Sequence, residues 1–288
     1  MKRFCPQCQS NSTNHIRNGY FVRTGLRTPI QRYRCKLCKK EFSDATFQLR
    51  YRQRKRHLNG LVLQQLISSG SLRRAAKVLN INRKTMVRKF EYLAKKSRLE
   101  QKRFLKTLSD ITEIQFDDME TFEHSKLKPL SITVVVAKGS RIILGAIVSK
   151  MPAKGLIAKK ARKKYGKRND ERRIKRDFLL NTIRPNLNKD YLLVETDEQP
   201  HYPKSIKNAF PQAVHISYRG RRACVVGQGE LKAGGYDPLF SLNHTCAMLR
   251  YSISRLVRKT WTTTKLHEKL QDHIDIYINY HNQKLLNL

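Results

Sequence analysis

The chain has 288 residues, 39% of them hydrophobic, and carries 60 Lys plus Arg against 22 Asp plus Glu, a net charge of +38. That length suggests one to three domains, and that charge calls for a polyanionic partner, nucleic acid first, although an architectural nucleic-acid binder would meet the same totals. No run of about 18 apolar residues reads as a membrane span, and the start Met1-Lys2-Arg3-Phe4-Cys5-Pro6 lacks the apolar core of a signal peptide, so the expected compartment is a reducing cytoplasm, where cysteines serve metals rather than disulfides.

Residues 1–48 contain Cys5-Pro-Gln-Cys8 and Cys35-Lys-Leu-Cys38, two C-x2-C pairs separated by 26 residues. Each pair lets two thiolates grip one side of a tetrahedral Zn²⁺, and two pairs close the site, so the spacing predicts a zinc ribbon whose metal is structural rather than catalytic. Between the pairs, GYFVRTG and IQRYRC read as short strands, and KKEFS after the second pair reads as a turn into an aromatic strand. Arg17, Arg23, Arg27, Arg32 and Arg34 on this ribbon suit phosphate contacts.

Residues 50–100 read as helical. LNGLVLQQLISSG carries an apolar helical stripe, Ser71 caps a second helix ending near Leu79, and Asn80-Ile81-Asn82 makes a turn. Arg83 to Tyr92 forms the next helix, with Met86, Val87 and Phe90 on its apolar side. Small Ala75 and Ala76 let two helices cross closely. The pattern is that of a helix-turn-helix, whose second helix enters the major groove, with Arg83, Lys84, Thr85 and Arg88 facing the bases and phosphates; an ordinary helical hairpin has the same outline. Residues 93–107 read as a basic helical linker.

Residues 108–288 change character. ITEIQFDD, LSITVVVA, RIILGAIVS, YLLVETDE and AVHISYR read as strands, the second and third joined by a hairpin at Lys138-Gly139-Ser140. Residues 154–177 hold twelve basic residues against three acidic ones and read as a solvated helical region. From Asn243 onward two further helices are expected. Strands mixed with helices in this order predict an α/β domain.

One stretch runs against the basic background. EIQFDDMETFE places five carboxylates between Glu113 and Glu123, and no Lys or Arg occurs between Thr107 and Ser125. Asp117 is expected to end one strand and Asp197 another, and the carboxyl ends of strands are where open α/β sheets gather their sites. Two neighbouring Asp repel without a cation, and Mg²⁺ with its oxygen ligands supplies one. Solvated turn residues are the blander reading of the same two Asp.

Zinc ribbon, helix-turn-helix and α/β carboxylate domain, in this order, resemble the transposases of short bacterial insertion sequences, members of the ribonuclease-H-like DDE group. TDEQPHYP resembles that family's second-Asp motif, in which Thr-Asp leads to a Tyr. NHTCAMLRYSISRLVRKTW followed by KLHEKLQDHIDIYINYHN resembles its C-terminal helix and tail. The resemblance implies a ribonuclease-H-like fold over 108–288 and a first metal ligand at Asp117 rather than Asp118. It also implies a second ligand at Asp197. Most of the group opens the C-terminal helix with Glu seven residues before a basic residue; here Arg250 matches the basic residue and Asn243 stands where the Glu would be. Asn243 can bind Mg²⁺ through its amide oxygen; a loop acid, Glu230 or Asp237, and an inactive copy are the other readings. The implied function is binding of double-stranded DNA at terminal inverted repeats, followed by Mg²⁺-dependent strand cleavage and transfer into target DNA. Arg250 would contact a phosphate. A homo-oligomer on DNA and a place at the bacterial nucleoid go with that function. A transcription regulator with a non-catalytic C-terminal domain and a structure-selective nuclease are the alternatives.

Overall fold

A computed structural model describes residues 3–22, 28–188, 190–219, 236–257 and 262–286. The chain forms two compact units, Met1–His57 and Leu58–Leu288.

The first unit is an antiparallel sheet in the order β1 (His15–Phe21), β2 (Ile30–Cys35), β3 (Glu41–Ser43). β1 begins at His15, earlier than the GYFVRTG reading, and residues 23–27, including Arg23 and Arg27, lie outside the described residues. The two cysteine turns are the same turn built twice. The N–H of Cys5 donates to Ser10 O and that of Gln9 to Cys5 O; the N–H of Cys35 donates to Lys40 O and that of Lys39 to Cys35 O. Gln9 and Lys39 both take positive φ, 59° and 60°. With Cys5, Tyr33, Cys35 and Phe42 as its buried apolar cluster among the described residues, this core is too small to be held by burial alone, which is the situation a metal staple relieves.

The second unit opens with three helices, α1 (Asn59–Ile67), α2 (Leu72–Val78) and α3 (Arg83–Leu105). Ser71 Oγ accepts from the Arg74 N–H and Asn82 Oδ1 from the Lys84 N–H, so both α2 and α3 start on side-chain caps. Val62, Leu66, Ala75, Ala76, Met86 and Phe90 pack together between them. The stretch after Tyr92 is helical, as expected, but it is part of α3 rather than a linker. It continues to Leu105, and Leu93, Ala94 and Ser97 are buried. Its cover is the C-terminal helix α8 (His267–Leu286), whose Ile276 joins the same core. Acids on α8 answer the bases of α3: Arg98 pairs with Asp272 and with Asp275 at 2.6 Å. A stretch that reads as a charged linker is therefore a packed helix with matched charges.

The remaining chain builds a five-stranded sheet in the order β6-β5-β4-β7-β8, from β4 (Glu113–Phe122), β5 (Pro129–Ala137), β6 (Ile143–Lys150), β7 (Leu193–Asp197) and β8 (Val214–Tyr218). β4, β5 and β6 are antiparallel neighbours; β7 and β8 run parallel to β4. The hairpin between β5 and β6 turns at Gly139, φ 76°, as its sequence predicts. Helices cover both faces. On one face α7 (Phe240–Ser252) and α8 bury Met119, Ile132 and Val134 of the sheet. On the other, α5 (Arg172–Ile183) and α6 (Tyr202–Ala209) bury Ile114, Phe116 and Val135. α4 (Ala158–Tyr165) is mostly exposed, as its five Lys and Arg over 159–164 and Ala161 alone buried dictate; α5 is not, and its Arg176 is only 2% exposed. The architecture is mixed α/β.

Candidate functional site

The four cysteines of the first unit converge. Their sulfur atoms all lie within 4.8 Å of one another. Cys5 Sγ is 3.4 Å from Cys38 Sγ, and Cys8 Sγ is 3.6 Å from Cys35 Sγ. These separations are far longer than a disulfide bond of about 2.05 Å. They approach the edge of about 3.8 Å expected of a tetrahedron with Zn–S near 2.3 Å. Ser10 Oγ stands beside two of the sulfurs, 3.3 Å from Cys8 and 3.2 Å from Cys35. Its hydrogen bond draws the Cys35 thiol down to about 6, whereas burial and the neighbouring thiols push Cys38 up to about 12. This is a candidate metal site whose donor set and spacing are consistent with structural zinc.

In the second unit the acidic stretch is spread along β4, and its charges are answered one by one from elsewhere. Glu113 meets Lys138 at 3.0 Å, Asp118 meets Arg176 at 3.1 Å, Glu120 meets Lys154 at 3.2 Å, and Glu123 meets Arg168 at 3.3 Å. Asp117 differs. Among the described residues its carboxylate forms no ion pair; Oδ1 accepts instead from the Asp118 N–H at 2.6 Å and the Tyr202 hydroxyl at 3.0 Å.

Asp117 does not end its strand, as its sequence suggested, but sits in the middle of β4. What ends there is the pairing with β7. The parallel register runs Glu113 with Leu193, Ile114 with Val194 and Gln115 with Glu195, and then stops. Gln115 Nε2 donates to Glu195 Oε2 at 2.7 Å, so these two side chains share a face. Side chains alternate along a strand, so two residues further on Asp117 and Asp197 stand level on that same face, one on each strand. Asp197 is the last residue of β7, as expected. Asp118 takes the opposite face, where Thr133 and Arg176 hold it; burial raises its pKa.

α7 lies across the Asp117 face. Gln115 Oε1 accepts from the Leu242 N–H at 3.2 Å, and Met119 packs with Leu242, Cys246 and Leu249. Asp117, between Gln115 and Met119, is therefore level with the turn from Leu242 to Cys246, which contains Asn243. Burial pushes the Cys246 thiol up to about 12, with the charge of Asp117 adding to the shift and Arg250 opposing it. Asn243 Nδ2 donates to Asp237 Oδ2 at 3.0 Å, and Asp237 Oδ1 accepts from the Leu239 N–H at 3.0 Å. Two of the candidate third ligands, Asn243 and Asp237, are thus one bonded pair at the start of α7. Of the two ends of the Asn243 amide, only the oxygen is of a kind that binds a cation. The third candidate, Glu230, lies outside the described residues. Arg250 is exposed two turns along α7.

Of the α3 candidates, Arg83, Lys84 and Arg88 are exposed on the first turns of the helix and Thr85 is half-buried. Two half-buried histidines lie near the site: His215 bonds Thr196 at 2.9 Å, His244 bonds Arg141 at 3.2 Å, and burial lowers both pKa values. One residue of the site escaped the sequence reading: Arg176 was hidden in a basic run with nothing to mark it as the buried member. Tyr202 was present there only as the Tyr of TDEQPHYP, with nothing to tie it to Asp117. No protein-family model matches the chain, and no curated protein matches it. No helix among the described residues is long and apolar enough to cross a membrane.

Proposed function

We propose that the chain is a DNA transposase of the ribonuclease-H-like DDE type, with a zinc ribbon and a helix-turn-helix that bind the ends of the element. The observation that carries this reading is the level placement of Asp117 and Asp197 on one sheet face, under the helix that bears Asn243 and Arg250. A mixed sheet with helices on both faces supports the fold assignment, and the capped pair α2 and α3 with exposed Arg83, Lys84 and Arg88 supports the helix-turn-helix.

The donor set fits a hard divalent cation. Two carboxylates on one face of adjacent strands repel one another unless a cation stands between them. The other acids of β4 have basic partners; Asp117 has neutral ones, so its charge is available to a metal. Asp117, Asp197 and Asn243 would hold Mg²⁺, with Asp237 steadying the Asn243 amide. Bound there, Mg²⁺ would favour attack on a phosphodiester by stabilising charge on its oxygens. The chain's own contribution is placement. Arg250 would hold a phosphate beside the site, and the surrounding positive charge would draw the DNA in.

The test uses a plasmid carrying this coding region with its flanking genomic DNA, incubated with the zinc-loaded protein and Mg²⁺. The proposal predicts cuts at two positions bounding the region and covalent joining of the ends to new DNA. Binding without any cut would assign a transcription regulator, and cuts without end specificity or joining would assign a nuclease.

A further inference from the structure

The parallel strands β4 and β7 part after Gln115 and Glu195, and Tyr202 fills the opening. It is the first residue of α6 and only 1% exposed. Its ring is fixed on two sides, with the Phe116 ring at 4.8 Å between centroids and the Arg176 guanidinium 4.9 Å from its centre. Arg176 is fixed in turn, since Nη1 donates to Asp118 Oδ2 at 3.1 Å and Nε to Ser205 Oγ at 3.2 Å. The ring therefore has little freedom to place its hydroxyl anywhere else.

That hydroxyl makes two bonds. It accepts from the Asp118 N–H at 2.9 Å, the backbone donor that β7 no longer covers, and it donates to Asp117 Oδ1 at 3.0 Å. A phenol has one hydrogen, so with the N–H occupying a lone pair the hydrogen goes to Asp117. Oδ1 thus receives two neutral donors in fixed positions. No hydrogen bond reaches Oδ2 from the described residues. The carboxylate is held by one oxygen and offers the other.

We propose that Tyr202 is a positioning residue of the divalent-cation site, its hydroxyl locking Asp117 so that Oδ2 is presented to the metal. The proposal rests on the reading of Asp117 as a metal ligand. Hydrogen bonds to a ligating carboxylate commonly govern metal affinity, and their loss costs about 10- to 100-fold. Arg176 supports the tyrosine and neutralises Asp118, which keeps that second carboxylate out of the metal site.

The test is Mn²⁺ binding by the full zinc-loaded chain, read from the electron paramagnetic resonance of free Mn²⁺. Wild type, Asp117→Asn, Tyr202→Phe and Phe116→Leu are compared, with the fold of each checked by circular dichroism. Tyr202→Phe removes one oxygen and keeps the ring; Phe116→Leu loosens the ring and keeps the hydroxyl. The expected result is loss of binding in Asp117→Asn, weakening of about tenfold or more in Tyr202→Phe, and a smaller weakening in Phe116→Leu, which frees the ring but keeps the hydroxyl. A purely structural role for the hydroxyl would change stability and leave affinity alone. Wild-type affinity in Tyr202→Phe overturns the proposal while Asp117 remains a ligand. Equal binding by wild type and Asp117→Asn, or none by either, overturns the metal reading and the proposal with it.

Discussion

His273 makes acid stability of the second unit a quantitative prediction. It lies on α8 and is buried, with Nε2 2.8 Å from Leu66 O on α1 and its ring against Phe90 of α3 at 5.7 Å. Because Leu66 O can only accept, Nε2 carries the proton. Burial, reinforced by the nearby Arg255, pushes the His273 pKa down to about 4 from the ordinary 6.5. A folded pKa below the unfolded one means that the unfolded chain takes up protons first as pH falls. The stability tied to neutral His273 is therefore fully present above about pH 6.5 and is lost as pH falls towards about pH 4. The complete shift is worth about 3 kcal/mol, and about 2 kcal/mol of it is lost between about pH 7.5 and about pH 5. Urea unfolding followed by helical circular dichroism reads this unit, because among the described residues every α-helix lies in it. His273→Gln keeps a donor and does not titrate. Buried Asp118 and Asp275, whose pKa values are raised, contribute with the opposite sign in both proteins, so the difference between them isolates His273. If wild type and His273→Gln follow parallel stability curves over that range, the reasoning about this residue is refuted.

Three further outcomes are expected. Purified protein should hold one zinc per chain at the four-cysteine site, and Cys35→Ser should lose it; equal zinc in the two by atomic absorption would count against the site. Arg176→Ala strands Asp118 in the interior and should cost about 3–5 kcal/mol in urea unfolding, and adding Asp118→Asn should recover much of the loss. Arg83→Ala with Arg88→Ala should abolish preferential binding to the flanking DNA in a gel-shift titration. Wild-type binding there should weaken roughly 10³- to 10⁵-fold between about 50 and about 200 mM salt if six to ten phosphates are contacted.

Much of this was legible in the sequence because it rests on short-range chemistry. The C-x2-C pairs announced their own turns, Ser71 and Asn82 announced helix starts, and alternating apolar runs announced all five strands of the large sheet. What was not legible depends on partners distant in the chain. Nothing in EIQFDDMETFE says that β4 continues past Asp117 while β7 stops. That offset opens the place for Tyr202. Residues 93–105 looked like a linker because the acids that pair with them, Asp272 and Asp275, lie on α8, more than about 170 residues away. Arg176 is one of twelve bases in its run, and only the fold selects it to be buried against Asp118. The Asn243–Asp237 bond likewise joins two residues that the sequence posed as rivals.

The central claim is that Asp117 serves chemistry while its neighbour Asp118 serves structure. Mg²⁺-dependent cleavage of the flanked plasmid by Asp117→Asn and Asp118→Asn, each matched to wild type for DNA binding, tests it most directly. The account predicts that Asp117→Asn binds DNA as wild type does and cuts none, while Asp118→Asn still cuts; cleavage retained by Asp117→Asn and lost by Asp118→Asn would contradict it.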